Sequence, residues 1–389
     1  MPRSLFRHSP LWKWFIVVVL VGSSAVLALW KPRPRPIKVE LLPFTDSPPA
    51  WDGSYPYLSI SLINPGTQLK FEASISRTQP TVRHDSPVNA FQVDLHSGMF
   101  VLRQTDLFVP DVAPLSLTRT YRVWDFHVRA FGAGTNHPYD ICPTGTRFPY
   151  TYMDLNLEDG RQIHFRRISK GAGYADAVFR HEETASEFYG AQIAWNGDGW
   201  TLNFRDGRHF RFPEAYLAKN YAQGAPYEMQ EADGRNIQLH RDQHRNLEQT
   251  ISPSGRTIAF KYDALDRIVE ASDDAGNIRK YSYYSNGHLE TVSDASHILY
   301  RFEYAPILHS PGYDPYLMTA ITNGNWKVLL RNTYRDGSRV SEQRLANGEV
   351  YRYEYFLDKT NEVVETIVTL PAGSKRKFFF KYGVPAGEE

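Results

Sequence analysis

From about residue 55 onward, apolar and polar side chains alternate in short runs, and no long stretch carries a helical period. In residues 256–262, Ile258, Phe260 and Tyr262 point one way, against Thr257, Ala259 and Lys261. Residues 297–304 place Ile298, Tyr300, Phe302 and Tyr304 on one face, opposite Arg301 and Glu303. Tyr351, Tyr353 and Tyr355 share a face in 349–355, as do Phe378, Phe380 and Tyr382 in 378–382. A period of two with one aromatic face predicts strands of a sheet that is buried on one side and wet on the other. Asp-Gly and Asn-Gly pairs divide the runs, among them Asp159-Gly160, Asp206-Gly207, Asp233-Gly234, Asn286-Gly287 and Asn347-Gly348. Such pairs supply the positive φ angles of two-residue hairpin turns. The expected body is therefore all-β, a curved or spiralling sheet of consecutive antiparallel hairpins.

The hairpins repeat. Gly234, Gly255 and Gly276 are spaced by 21 residues, and Ser296 follows 20 further on. DGRNIQLHR, SGRTIAFKY, AGNIRKYSY and ASHILYRFEY are versions of one unit. A fixed period in this range marks stacked supersecondary units, each burying its face only against its neighbours.

The N-terminus has a different pattern. Residues 14–30 carry no charge, follow Arg3, Arg7 and Lys13, and are flanked by Trp12, Trp14 and Trp30. This is near the shortest segment that spans a bilayer. The segment reads as a membrane anchor. A signal peptide cleaved after Ala25 is the main alternative, and a buried helix the third. Both flanks are basic, so charge hardly orients it. KPRPRP (31–36) begins a proline-rich stalk expected to be extended.

Composition narrows the chemistry. The 389 residues carry a net charge of +1, which offers no basic field for nucleic acid. Cys142 is the single cysteine, so neither an internal disulfide nor a multi-thiolate zinc site can form. In its proline-bounded loop, Cys142 reads as a buried or idle thiol. His240 and His244 flank a turn and do not form a helical metal pair. The acidic clusters Glu182-Glu183, Asp273-Asp274 and Glu388-Glu389 read as structural or solvated. A glycosidase pair of facing carboxylates remains as an alternative. Tyr281, Tyr283, Tyr351 and Tyr353 fit either packing or sugar stacking, with packing as the default. Arg119, Arg161, Arg208, Arg235, Arg256 and Arg267 stand near turns and are expected to pair with turn acids or stack on rings. No nucleotide loop, cofactor fingerprint or nucleophile elbow occurs, so no cofactor is expected.

Residues 255–277 resemble a tyrosine-aspartate repeat of the Rhs and teneurin kind, carried by Gly255, Arg256, Tyr262, Asp263, Arg267 and Gly276. Asp266 stands where that pattern has glycine. Residues 332–355 give a second match through Tyr334, Arg339, Val340, Gly348 and Tyr355. Upstream, residues 88–134 resemble the domain that opens Rhs chains, through Gly98, Asp106, Arg119, Tyr121, Gly132 and Gly134. The resemblance implies a hairpin sheet spiralling into a shell that often encloses a toxin in bacteria. This stretch is shorter than a complete shell, and Asp314-Pro315-Tyr316-Leu317 lacks the glycine of the family's self-cleavage motif. No toxin domain is expected after Tyr382.

The expected plan is a signal or anchor at 1–30, a stalk at 31–54, a β-rich lead-in at 55–84, an opening domain at 85–230, hairpin repeats at 231–385 and a tail at 386–389. The expected role is a non-enzymatic interaction module, on the membrane or exported, with its body outside the cytoplasm. It would bind protein or glycan through a concave face or an open sheet edge. An orphan shell fragment that holds a partner polypeptide and a carbohydrate-active enzyme are the alternatives. A gene remnant without a folded product is a further one.

Overall fold

A computed structural model describes residues 55–63, 70–78, 89–123, 125, 127–306, 316–335 and 338–389. The expected anchor and stalk lie outside these residues, as does Asp314-Pro315. Among the described residues no helix is long and apolar enough to cross a membrane. Strands dominate, with two short 3-10 turns at Pro138–Asp140 and Tyr221–Gly224.

Two sheets organise the chain. The first contains β1 (Tyr55–Ile63), β2 (Lys70–Thr78), β3 (Asn89–Asp94), β4 (Phe100–Val109) and β5 (Leu115–Arg122). Its order is β2-β1-β3-β4-β5, with Thr135–Asn136 beside β5. The described parts of the lead-in, Tyr55–Ile63 and Lys70–Thr78, therefore belong to this sheet. The second sheet holds every strand from Cys142–Gly145 to Val384–Glu388, in chain order and antiparallel. Its course closes on itself. Registers of backbone partners are resolved between chain neighbours, from Cys142–Gly145 against Tyr152–Asn156 to Lys375–Lys381 against Val384–Glu388. None is resolved between the first and last of these strands. The long sheet starts at Cys142, so it takes in strands of the expected opening domain as well as the expected repeats. Its early strands escape a repeat pattern because long loops, such as 168–177 and 181–191, separate them.

The alternating faces are present. Ile258, Phe260, Tyr300, Phe302, Tyr351, Tyr353, Phe378 and Phe380 are all buried. Tyr382 departs from the pattern: it sits past the end of Lys375–Lys381 at φ 51° and is 90% exposed.

The hairpin turns differ from the expected type. In each, one N–H closes on the carbonyl three residues back, as in Gly234 to Glu231, Gly255 to Ser252 and Gly276 to Asp273. Only the last residue of the turn has positive φ: Gly234 is at 87°, and Asp233 is not left-handed. That is a type I turn followed by a left-handed bulge residue, not a two-residue loop with two left-handed positions. The Asp carboxylate locks it. In Asp159-Gly160-Arg161, Asp206-Gly207-Arg208 and Asp233-Gly234-Arg235, Asp Oδ1 accepts from the Arg backbone N–H, and Oδ2 accepts from Arg Nε at 2.6, 2.8 and 2.7 Å.

The first sheet occupies the inside of the second. Leu58, Leu102 and Leu117 share one apolar cluster with Phe165, Phe260, Phe302 and Tyr353. Burying each large apolar side chain contributes about 1.5–3 kcal/mol. The concave face expected to be a binding surface is therefore covered by the chain's own opening segment.

Candidate functional site

The seam between the two sheets brings together Asp106, Arg119, Tyr121 and Gly132 of the residues singled out by the sequence. Backbone bonds cross it: Ile268 N to Ala130 O at 2.8 Å, Val340 N to Gly98 O at 2.9 Å, and Ala133 N to Gly287 O at 3.1 Å. At its centre lies Arg119, 1% exposed. Its Nε donates to Asp106 Oδ2, and its Nη2 donates to Asp106 Oδ1 at 3.0 Å and Gln104 Oε1 at 2.7 Å. The Tyr281 hydroxyl donates to the same Asp106 carboxylate at 2.9 Å. Phe302, Phe131 and Tyr281 stand around the guanidinium at 5.5, 5.9 and 5.9 Å. Arg119 Nε and Nη2 and both oxygens of Asp106 are used internally, so the pair ties β4 and β5 to the repeats.

Tyr121 continues the seam. Its hydroxyl accepts from Met318 N at 3.2 Å and lies 3.5 Å from Tyr316 O. Gly132 and Gly98 are needed for closeness. A Cβ on Gly132 would lie 2.2 Å from Gly287 O, and one on Gly98 would lie 2.7 Å from Arg339 Cγ. Gly134 turns at φ 67° with its N–H on His127 O at 3.1 Å. On the other face of the first sheet, Arg122 meets Asp94 at 3.0 Å and Arg103 meets Glu158 at 3.4 Å. Burial beside Asp159 pushes the Glu158 carboxyl up to about 7.

The tyrosine-aspartate residues explain one another. Tyr262, Tyr283 and Tyr355 each send a hydroxyl fifteen residues back, to Leu247 O at 3.0 Å, Ile268 O at 2.5 Å and Val340 O at 2.9 Å. Tyr334 does the same sixteen residues back, to Met318 O at 2.6 Å. Tyr262, Tyr283 and Tyr334 sit where the strand register slips. A slip removes a ladder partner, and the phenol supplies the missing donor. Asp263 holds Arg267 through Oδ2 at 2.9 and 2.7 Å, and Arg267 lies 4.3 Å from the centre of the Tyr283 ring. Arg256 pairs with Asp274 at 2.5 Å. Gly255, Gly276 and Gly348 take the left-handed turn position with open space around them. Arg339 Nη2 donates to Asn361 O at 3.3 Å.

Among the described residues no three His, Cys, Asp or Glu side chains could hold a metal. His244 meets Asp266 at 3.4 Å. Burial pushes the Cys142 thiol up to about 12, which keeps it protonated. Glu182 pairs with Arg166 and Arg180, and Glu388 with Arg376. Asp273 accepts from the Ala275 N–H and from both the backbone N–H and the side-chain amide of Asn277.

Two cavities flank the short turn Tyr221–Gly224 and share Asn220 and Tyr221. The larger, about 400 Å³, is lined by Cys142, Arg147, Tyr216, Leu217 and Lys219. Phe148 and Leu217 are 74% and 79% exposed there, and Phe148 meets Tyr216 edge-on at 5.8 Å. The smaller, about 240 Å³, lies between Arg129, Asn136 and Asp140 of the opening segment and Asn246, Tyr262 and Asp266 of the repeats. No sequence pattern marks either cavity, because their walls come from segments far apart in the chain.

Comparison with known proteins gives the following. Residues 91–165 match a family described as a domain of unknown function, DUF6531. The chain is 24% identical over 252 residues to Double-stranded DNA deaminase toxin A of Burkholderia cenocepacia (strain H111), across 60% of this chain and 17% of the toxin. It thus spans under a fifth of that curated relative. Among solved structures it is similar to TcdB2-TccC3 without its hypervariable C-terminal region, at 12% identity over 75% of this chain and 20% of the other, with a TM-score of 0.25. It is also similar to a Photorhabdus luminescens Tc holotoxin pore, at 10% identity over 84% of this chain and 22% of the other, with a TM-score of 0.15. The chain thus carries a DUF6531 segment and has distant sequence similarity to a toxin, in agreement with its resemblance to Rhs-type β-repeat chains.

Proposed function

We propose that the chain is a non-enzymatic interaction module of the Rhs type, in which a closed hairpin sheet is filled by its own opening sheet. The observation that carries this reading is the seam around Arg119. The aromatic inner face is spent on the chain itself, so partners are met on the outer surface and around the two cavities. The paired carboxylates and the protonated thiol also favour binding over turnover. The proposal places the body outside the cytoplasm, held or delivered by residues 14–30.

A filled interior argues against the reading in which this stretch encloses a polypeptide cargo. The test is to tag the C-terminus in the native host, extract with mild detergent and treat with protease. The proposal expects a compact, protease-resistant chain with no shielded polypeptide inside. A partner polypeptide recovered at fixed stoichiometry and protected from protease would overturn it in favour of a container.

A further inference from the structure

We propose that one rim of the closed sheet is a membrane-contact surface seated in the headgroup layer of a bilayer. This refinement rests on the reading in which residues 14–30 hold the body to a membrane. Strands from Cys142–Gly145 onward follow in chain order and antiparallel, so successive connections alternate between two rims. Those at 157–161, 204–208, 231–235, 252–256 and 346–349 fall on one rim. They are built around Asp-Gly-Arg, Ser-Gly-Arg and Asn-Gly-Glu. Those at 168–177, 214–227, 263–267, 284–288, 358–362 and 382–383 fall on the other.

Apolar exposure is one-sided. Among the described residues every exposed large apolar side chain, Val112 and Trp326 excepted, lies on this second rim or directly beside it. Tyr174, Leu217, Leu265, Tyr284, Leu357 and Tyr382 mark its successive connections, with Tyr382 the most exposed. Phe148, in the connection at 146–151, meets Tyr216 on the same rim. Singly scattered apolar side chains need no partner, whereas a set gathered on one surface marks an interaction site.

The occupant follows from where the chain enters the body. β1 begins at Tyr55, and Pro56 O accepts from Leu95 N at 3.0 Å. The turn after Leu95 is held by Val340 N, which donates to Gly98 O at 2.9 Å, and by Phe380, whose ring lies 5.1 Å from that of His96. Val340 and Phe380 each stand one residue in from the strand end at the second rim. The chain therefore enters at this rim, and only residues 31–54 separate Tyr55 from the apolar segment 14–30. A tether fastened there raises the effective concentration of lipid at this rim.

The side chains suit that layer. A tyrosine keeps its ring in the acyl boundary and its hydroxyl in water. Lys219, Lys359 and Lys381 are exposed near Leu217, Leu357 and Tyr382. A lysine stem lies along apolar surface while its ammonium reaches the phosphates. Lysine is depleted from the cores of protein interfaces, which favours lipid over a protein as the occupant. Asp263 and Asp358 on this rim accept from their own turns, from Leu265 N at 2.9 Å and Thr360 N at 2.8 Å.

The test uses the full chain inserted into vesicles of phosphatidylcholine and phosphatidylglycerol, with and without a nitroxide on the headgroups. Cys142 is buried, so in Leu217→Cys, Tyr382→Cys and Trp326→Cys the introduced thiol takes the fluorescent label. Trp326 lies on the opposite rim, one eight-residue strand or about 26 Å away. Nitroxide lipid is expected to quench the labels at positions 217 and 382 and to leave the label at 326 at full brightness. Adding Leu265→Asp and Leu357→Asp, both at exposed sites, is expected to remove most of the quenching at 382 with the melting temperature unchanged. If the chain does not float with the vesicles, the anchor reading and this proposal fail together. If it floats and the three labels respond alike, the anchor stands and the rim assignment is overturned. If the labels at 217 and 382 are shielded from aqueous iodide yet untouched by nitroxide lipid, another protein or a second copy covers the rim, which also overturns it.

Discussion

Gly132 and Gly276 both have positive φ, yet they belong to regions built on different physics. At Gly276 a Cβ would meet nothing within 4 Å, and the glycine serves the turn alone. At Gly132 a Cβ would meet Gly287 O at 2.2 Å, so the glycine also lets two sheets touch. The repeats are held by short-range rules: an Asp that locks a turn, a Tyr that caps a carbonyl. The seam is held by shape and by buried charge between residues far apart in the chain. A repeat can absorb a local error, whereas the seam has no slack.

Four experiments sharpen that contrast. The largest effect is expected for Arg119→Ala, which leaves Asp106 buried without its cation and should cost about 3–5 kcal/mol in urea unfolding. Next is His137, fully buried against Phe131, Tyr139 and Phe260, with neither ring nitrogen hydrogen-bonded among the described residues and Asp140 Oδ2 3.9 Å from Nε2. Burial pushes it down to about 4 from 6.5. The folded state holds it neutral, so its contribution is intact above pH 6.5 and is lost as pH falls from 6.5 toward 4, by about 3 kcal/mol. His137→Phe should remove that slope and stabilise the fold at every pH. Glu158, raised to about 7, acts in the opposite sense, adding stability as pH falls toward 4.5, so the difference between wild type and variant isolates the histidine. Third, Gly132→Ala should exceed Gly276→Ala in cost by about 1–3 kcal/mol, the added penalty of overpacking. Equal costs would mean that the seam yields easily. Smallest is Arg245→Gly, at a turn with φ 73°, expected to stabilise by up to about 1 kcal/mol.

The same contrast governs what the chain reveals before it is folded. The strands around Phe260, Phe302 and Tyr353 are legible because alternation and turn residues act over a few positions. The turn type is not legible, since Asp-Gly suits both kinds of hairpin and only the φ of Asp233 separates them. The start of the long sheet at Cys142 is hidden by loops of uneven length. The pairing of Asp106 with Tyr281 depends on how the second sheet curls around the first. No spacing in the chain encodes that distance. The resemblance marked Arg119 and Asp106 as special without saying what they touch.

The filled interior has a consequence for biosynthesis. The ribosome makes the inner sheet first, and the wall that covers it emerges strand by strand afterwards. Until Ile268, Phe302 and Val340 have been added, the faces carrying Leu102, Arg119 and Tyr121 stay uncovered. The nascent chain thus wraps around a template already made, and each new hairpin is aligned by what precedes it. A pause in translation between residues 140 and 340 would leave the most apolar surface bare for longest, and that window is where a chaperone would be needed.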